Sequence, residues 1–269
     1  MIKAILIVFV SGCCFAASAQ NDSSFLFLKK INGSFTNFEV DNLDNVYLIN
    51  TTNQLKKINA NGDSAGVFND IKRFGPVTQI DVTNPLKILL YYKNFSTIVV
   101  LDRFLNIRNT INLRKQNIFA VNSIATSYDN NIWLYDEQEY KLKKIDDNGT
   151  VLLESNDFRQ VFDSIPSATQ LTDRNNFVYL YDTTKGFYCF DYYGSFKNRL
   201  PFLHWTNIAV AEKIIYGFGA GKLLSYQLQS LNQKEYSLPA FAKNYMAVKI
   251  MNGKLYLLKP DGISIYQVK

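Results

Sequence analysis

One phrase recurs along the chain and constrains the fold more than any other feature of the sequence. A first copy runs from Phe38 to Gly62 and a second clear copy from Ile124 to Gly149. In each copy an Asn/Asp-rich turn precedes an apolar-aromatic-apolar triplet, Val46-Tyr47-Leu48 or Ile132-Trp133-Leu134, and a polar turn then leads into a basic strand. Alternation of apolar and polar residues between such turns is typical of paired β-strands. A repeat of this length predicts stacked copies of one small β unit.

Six copies of this unit fill residues 20–269. One residue in the second strand marks each copy, and these anchor residues are 37 to 46 positions apart. The anchors are Tyr47, Leu89, Trp133, Tyr179, Tyr216 and Tyr256. Turn signals predict four strands in each complete copy. The predicted strands are 35–40, 46–50, 54–59 and 66–71 in the first copy, 121–126, 132–136, 141–146 and 151–155 in the third, and 168–172, 177–182, 186–191 and 196–201 in the fourth.

The two ends of the chain indicate how the copies close into a ring. The last copy has room for only three strands, whereas residues 25–31 form a strand with no copy of its own. Placing that strand on the outer edge of the last sheet completes a sixth sheet and protects its edge. The sequence therefore predicts an all-β fold, a six-bladed β-propeller with four-stranded antiparallel blades. A β-sandwich, the alternative, would not produce this period, and one short helix over residues 157–165 is predicted between copies.

The phrase from Val40 to Gly62 resembles the NHL repeat, and the whole pattern resembles NHL-like and TolB-like six-bladed propellers. The resemblance covers most of the chain, although copies two and five are degenerate. Asp44 and Asn130 occupy a turn position where the family prefers glycine, and both residue types accept a positive φ. The resemblance implies a fold rather than a chemistry, because such propellers include sugar dehydrogenases, lactonases and purely binding modules.

Residues 1–19 have the features of a cleaved signal peptide. Lys3 precedes an apolar run at 4–10, and Ala17-Ser18-Ala19 forms a small-residue cleavage site before Gln20. The apolar run is too short to cross a bilayer as a helix. We therefore expect an exported protein, periplasmic or extracellular, with residues 20–269 as one domain. In an alternative interpretation, the segment ending at Cys13 resembles a lipobox, and a lipid anchor on Cys13 would attach the protein to the envelope.

Charge and cysteine content exclude several classes of function. The formal net charge of +6 falls to +5 without Lys3, and the basic residues occur as dispersed pairs such as Lys56-Lys57. Neighbouring strand residues point to opposite faces, so these pairs build no basic patch, and nucleic acid binding is not expected. Cys189 would be the one cysteine of the mature chain, in an apolar strand, and is interpreted as a buried, inert thiol.

The sequence offers few residues for catalysis. His204 is the only histidine, so a histidine-rich metal site is not predicted. Three carboxylates are expected on innermost strands, Glu39, Asp41 and Asp81, but they belong to two adjacent blades and would not surround a metal ion. Turn capping or bonding to a neighbouring strand is the stronger interpretation for Asp41 and Asp81. No cofactor is predicted.

Loops on one face carry aromatic residues beside basic and amide groups, a combination that is common in recognition surfaces. The candidate binding residues are Arg73, Phe74, Phe95, Lys115, Arg159, His204, Trp205 and Tyr245. The sequence thus predicts a non-enzymatic scaffold that binds a protein partner or an envelope complex. The alternative is a calcium-dependent lactonase-like or sugar-dehydrogenase-like enzyme. An enzyme requires three or more polar side chains converging in the channel, whereas a scaffold is expected to line it with Val, Ile, Ala and Thr.

Overall fold

The computed structural model describes residues 25–268 and consists of six four-stranded antiparallel sheets. The predicted signal peptide, its cleavage site and Cys13 lie outside these residues. Each innermost strand contacts the innermost strands of the two adjacent blades, and the last of them contacts the first, so the ring is closed. The predicted six-bladed propeller is confirmed. No helix within residues 25–268 is long and apolar enough to cross a membrane.

Strands are numbered along the chain, and each of the first five blades uses four consecutive strands from the channel outward. Blade 1 consists of β2 (Phe35–Val40), β3 (Val46–Asn50), β4 (Leu55–Ile58) and β5 (Ser64–Phe68). Blade 2 consists of β6 (Gln79–Asn84), β7 (Lys87–Tyr92), β8 (Thr97–Leu101) and β9 (Ile107–Asn112). Blade 3 consists of β10 (Val121–Thr126), β11 (Ile132–Asp136), β12 (Lys141–Ile145) and β13 (Val151–Glu154).

The remaining blades follow the same plan, and two one-turn helices lie in connections between blades. Blade 4 consists of β14 (Gln170–Arg174), β15 (Phe177–Asp182), β16 (Gly186–Phe190) and β17 (Phe196–Leu200). Blade 5 consists of β18 (Thr206–Ala211), β19 (Ile214–Gly219), β20 (Lys222–Gln227) and β21 (Asn232–Ser237). Blade 6 combines β22 (Ala247–Met251), β23 (Lys254–Lys259) and β24 (Gly262–Val268) with β1 (Phe25–Asn32). The helices are α1 (Ile71–Phe74) and α2 (Phe158–Val161).

The N-terminal strand β1 forms the outer edge of blade 6. It pairs antiparallel with β24, with Phe25 opposite Val268 and Ile31 opposite Ile263. A bulge interrupts the ladder between Phe27 and Lys29. Since β1 precedes blade 1 and β24 ends blade 6, this pairing joins the two ends of the described chain within one sheet.

Some predicted strand boundaries are wrong. The fourth strand of blade 1 was expected at 66–71 but lies at Ser64–Phe68, and the chain then turns into α1. The first strand of blade 4 was expected at 168–172 but lies at Gln170–Arg174, since the Ala168 carbonyl instead accepts a hydrogen bond from the Asn122 side chain of blade 3. Helix α2 covers one turn of the predicted 157–165.

The core lies between the blades. Apolar residues form a separate cluster at each of the six blade interfaces of the described chain. The anchor Trp133 is fully buried between blades 3 and 4. Burial of an aromatic side chain of this size contributes on the order of 3 kcal/mol. Cys189 is buried in the same manner, and burial raises the pKa of its thiol to about 12, so the thiol is protonated and inert at neutral pH.

The two faces of the disc carry different connections. We call the upper face the one with the connections between blades and the turns between second and third strands. The lower face carries the turns between first and second and between third and fourth strands. Lower-face turns are built on aspartate: the Asp146 carboxylate accepts hydrogen bonds from the backbone N–H groups of Asn148 and Thr150.

Candidate functional site

Six residues at equivalent positions of the innermost strands form a ring with two unlike halves, and all of them except the buried Ala125 line the channel cavity. The ring residues pair directly with the anchor residues of the second strands. In blade order they are Glu39, Asp81, Ala125, Thr172, Ala209 and Lys249. Blades 6, 1 and 2 therefore supply a charged half, and blades 3, 4 and 5 supply a half with small side chains.

An ion pair joins the first and last blades inside the channel. Lys249 Nζ lies 2.7 Å from Glu39 Oε1, and the two side chains are only 20% and 24% exposed. Burial raises the pKa of Glu39, the positive charge of Lys249 acts against this, and the negative charge of Asp81 adds to it. The pair thus links the innermost strands of blades 6 and 1 across the point where the ring closes.

The two aspartates of the predicted carboxylate set bond to backbone groups. Asp81 accepts hydrogen bonds from the N–H of Thr83 at 2.7 Å and from the N–H of Thr126, on the next blade, at 2.8 Å. Asp41 accepts from the N–H groups of Leu43 and Asn45 in its own turn. These are the capping and strand-bonding roles that the sequence favoured. Within residues 25–268 no group of three or more His, Cys, Asp or Glu side chains is placed to hold a metal ion.

Glutamines tie neighbouring blades together at the upper end of the channel. Gln79 of blade 2 donates to the Ile124 carbonyl at 2.8 Å and accepts from the Ile124 N–H at 3.0 Å. Gln170 of blade 4 donates to the Ile208 carbonyl at 3.0 Å. The channel is therefore more polar than the Val, Ile, Ala and Thr lining expected of a scaffold, and several of its polar side chains bond to the adjacent blade.

A cavity of about 220 Å³ lies in the channel. Its charged lining residues come from blades 1, 2, 4 and 6 and are Glu39, Asp41, Asp81, Arg174 and Lys249. Arg174 is the last residue of β14, next to the lower-face turn of blade 4, and its side chain is partly buried. Within residues 25–268 the Arg174 guanidinium makes no hydrogen bond or ion pair.

On the upper face, four of the eight predicted binding residues line one depression of about 410 Å³. They are Arg73, Phe74, Phe95 and Lys115, and the lining is completed by Thr97, Thr110 and Asn112. We call this the blade 2 depression, since it lies over the upper end of that blade. It combines two cations, two aromatic rings and three neutral polar side chains, with no acidic residue.

Local structure positions the side chains of the blade 2 depression. Arg73 ends near the ring of Phe74, with the guanidinium carbon 4.7 Å from the ring centroid. The Arg73 side chain is 61% exposed, and Asp70 approaches it only to 4.0 Å. Phe95 is 49% exposed. Asn112 caps the turn that carries Lys115 by accepting a hydrogen bond from the Lys115 N–H. The depression therefore offers exposed positive charge beside a half-exposed aromatic ring.

The structure places the other candidate binding residues apart from this depression. Arg159 is exposed and forms an ion pair with Asp157 on its own helix. His204 is exposed in the connection between blades 4 and 5. Tyr245 is half-buried against the core between blades 5 and 6.

Two of the predicted aromatic anchors are mostly covered by the protein itself. Trp205 is only 4% exposed and stacks on Phe202 at 4.7 Å between ring centroids. Its ring lies where a side chain on Gly217 would be, so the glycine provides the space for burial. Phe74 lines the depression but is only 5% exposed. Of the predicted binding residues, Trp205 and Phe74 therefore offer little surface to a partner.

Sequence reasoning missed the channel residues Lys249, Arg174, Gln79 and Gln170. The signal that identifies them is their position on the innermost strands, where alternate residues face the channel and the others face the core. Phe38 and Val40, which flank Glu39, are buried, and the same alternation runs through β22 on both sides of Lys249.

Comparison with known proteins identifies a fold and no family. No protein-family profile and no curated protein sequence matches the chain. Among solved structures, a streptogramin B lyase matches with a TM-score of 0.58 and 12% identity over 91% of this chain and 98% of that chain. Virginiamycin B lyase from Staphylococcus aureus matches with a TM-score of 0.58 and 13% identity, covering 91% and 89%. The WD40 domain of Neurospora crassa Pan2 matches with a TM-score of 0.61 and 11% identity, covering 91% and 84%.

These neighbours include an enzyme and a WD40 domain, and their identities are too low to transfer an activity. They support the propeller architecture alone, because one such fold hosts unrelated functions.

Proposed function

We propose that this protein is an exported, non-enzymatic β-propeller that binds a protein partner in the cell envelope through its upper face. The blade 2 depression is the observation that carries this proposal. It brings Arg73, Lys115 and Phe95 together on an exposed surface with no acidic residue among its lining. Aromatic and arginine side chains in one depression are typical of residues that anchor protein interfaces.

The rest of the molecule supports a scaffold role. Side-chain hydrogen bonds cross between blades at Gln79, Asp81 and Gln170, and the ion pair of Glu39 and Lys249 crosses between blades 6 and 1. Such bonds hold loops from different blades in fixed relative positions. Binding loops on a rigid frame lose little conformational freedom when a partner docks.

Export and membership of an NHL-like or TolB-like family are parts of the same proposal. Export is supported by the signal-peptide features of residues 1–19, and the family by the recurring turn and triplet around Tyr47 and Trp133. A periplasmic or extracellular location, free or attached through Cys13, agrees with both.

Affinity capture from the native envelope tests the binding role when it compares matched variants. R73E/K115E reverses both charges of the depression, and R103E/K213E makes the same change at exposed lower-face residues. We expect the wild type and R103E/K213E to retain a partner, and R73E/K115E to retain about tenfold less of it. Reversing the two charges would place like charges opposite each other at the interface, which is strongly unfavourable. Equal retention by all three proteins would contradict the proposal.

The polar channel favours one alternative, a lactonase-like or sugar-dehydrogenase-like enzyme. Glu39, Asp81 and Lys249 face one cavity, which meets the requirement for convergent polar groups. A calcium-dependent enzyme of this kind would retain the metal through its carboxylates. Elemental analysis of the purified protein decides between the two. Stoichiometric calcium that is lost in E39Q/D81N would establish the enzyme alternative in place of the scaffold.

A further inference from the structure

We propose that the channel binds a small zwitterion, with the cationic group of the ligand at Glu39 and Asp81 and its anionic group at Arg174. This site is separate from the upper-face depression and does not depend on the function proposed for that face. A molecule of amino-acid type, carrying an ammonium and a carboxylate group a few bonds apart, has the required chemistry.

The space for such a ligand arises from the small half of the ring. Thr172 and Ala209 occupy positions where blades 6, 1 and 2 have long or charged side chains. Opposite the charged half, these short side chains leave the cavity of about 220 Å³. That volume equals roughly seven waters at the 30 Å³ that each occupies in the liquid, which suits a small polar molecule.

The charged half of the ring has a surplus of negative charge. Lys249 neutralises Glu39 through one carboxylate oxygen, Oε1, and no basic side chain of the described residues 25–268 pairs with Asp81. Burial raises the pKa of Glu39, and the Asp81 charge adds to that rise, although Lys249 acts against it. A second positive charge beside Glu39 and Asp81 would therefore stabilise both carboxylates, and a ligand ammonium group would supply it.

Arg174 provides the positive charge for the anionic group of the ligand. Blade 4 stands across the ring from blade 1, so Arg174 and Glu39 line the same cavity from opposite sides. The guanidinium has no partner within residues 25–268 and is partly shielded from solvent. A guanidinium binds carboxylate through two parallel hydrogen bonds, which is the strongest pairing available to it.

Gln79 and Gln170 lie above this region and already bond to neighbouring blades. Asp41 and Lys249 also line the cavity, but Asp41 bonds within its own turn and Lys249 bonds to Glu39. The groups proposed to contact the ligand are Glu39, Asp81, Arg174 and the hydroxyl of Thr172. Cation and anion sites at opposite walls select a molecule that carries both charges over one that carries a single charge.

Thermal unfolding and calorimetric titration of the full mature chain test the proposal. The probes are glycine, alanine and glutamine, with methylammonium and acetate as single-charge controls at equal ionic strength. We expect at least one of the amino acids to raise the unfolding temperature and to bind about tenfold more tightly than either control ion, as expected when a second charged contact is formed.

Variants locate the binding. R174Q removes the anion site, and A209L fills the cavity without changing a charge. We expect each to weaken amino-acid binding about tenfold, whereas the matched lower-face variant R103Q leaves it unchanged. Absence of binding by every amino acid tested, tight binding of methylammonium or acetate alone, or affinity unaffected by R174Q and A209L would each overturn the proposal.

Discussion

At the scale of single residues, buried polar groups that join blades have the largest consequences. Asp173 is 4% exposed and accepts hydrogen bonds from Trp133 Nε1 at 3.0 Å and from the N–H of Tyr128 at 3.1 Å. Both donors belong to blade 3, whereas Asp173 belongs to blade 4. A buried donor that loses its acceptor costs free energy, because water cannot replace the lost bond.

We therefore expect Asp173→Ala to lower the free energy of unfolding by about 3 kcal/mol, since it leaves several buried donors without an acceptor. Asp146→Ala, which removes the cap of an exposed turn, should cost only about 1 kcal/mol. Urea unfolding followed by tryptophan fluorescence measures both. Equal losses in the two variants would show that the bonds to blade 3 contribute nothing beyond ordinary turn capping.

The carboxyl group of Asp129 makes the free energy of unfolding depend on pH in the acidic range. Burial alone would raise its pKa, but hydrogen bonds from Lys144, Ser127 and Asn131 lower the pKa to about 2. A carboxyl whose pKa is lower in the folded than in the unfolded state stabilises the fold above the unfolded value of 3.8. This contribution disappears as the pH falls from about 4 to about 2.

The expected result is that Asp129→Asn is less stable than the wild type at pH 7 and that the difference shrinks below pH 4. Urea unfolding at pH 7, 4 and 2.5 gives the comparison. A difference that stays constant over this range would mean that the ion pair with Lys144 does not stabilise the fold.

Residue-level prediction from sequence succeeded where the role is local and failed where it depends on ring closure. The turn role of Asp41 follows from its neighbours in sequence. The role of Lys249 could not be predicted, because its partner Glu39 is 210 positions away and is adjacent only after blade 6 meets blade 1. The burial of Trp205 depends on the space opposite Gly217, which is not visible in the sequence.

At the scale of secondary-structure elements, β1 takes the place of a fourth strand in blade 6. In blade 6, β1 approaches the third strand at a glycine as closely as the outer strand β17 does in blade 4. A Cβ on Gly262 would lie 2.2 Å from the Ile31 carbonyl oxygen of β1, and one on Gly186 would lie 2.3 Å from the Leu200 carbonyl oxygen of β17. Both glycines begin a third strand and allow the fourth to approach closely.

Gly262→Ala should therefore destabilise the protein by about 3 kcal/mol or more, because the new methyl group collides with the backbone of β1. Gly221→Ala is the matched control. Gly221 also has a positive φ, 73°, but apart from its own chain neighbours no atom of the described residues lies within 4 Å of the added Cβ, so only conformational strain of about 1 kcal/mol applies.

Thermal unfolding of the two glycine variants provides the measurement. If Gly262→Ala were no less stable than Gly221→Ala, the close pairing of β1 with β24 would be contradicted. The strand pattern and the unpaired ends made this pairing predictable from sequence. The boundary errors arose in blade 1 where the chain turns into α1, and in blade 4 where the Ala168 carbonyl bonds to blade 3.

At the scale of the whole molecule, the six interfaces between blades are not equivalent. Side-chain hydrogen bonds cross five of them, including Lys57 to the Arg103 carbonyl between blades 1 and 2. Among the described residues, blades 5 and 6 meet through apolar contacts such as those of Phe218 and Ile250, without such a bond. A groove lined by Tyr216 and Tyr236 lies along this interface.

Local opening should therefore begin between blades 5 and 6, since regions with fewer buried polar bonds open at lower free energy. Hydrogen exchange followed by mass spectrometry should show faster exchange in β18 and β22 than in β10 and β14. Slower or equal exchange in β18 and β22 would contradict this order. The six-fold repeat was predictable from the spacing of the anchor residues. The difference between the blade interfaces was not, because it depends on which side chains meet across each of them.

The central claim is that the upper face, at the blade 2 depression, contacts a partner in the envelope. Site-specific photo-crosslinking in intact cells tests it most directly, with benzoylphenylalanine in place of Phe95 or of Phe104. Both phenylalanines belong to blade 2 and are about half exposed, at 49% and 56%, but Phe104 lies on the lower face. The account predicts a discrete crosslinked protein at position 95 and none at position 104; crosslinks of equal yield at both positions, or at position 104 alone, would contradict it.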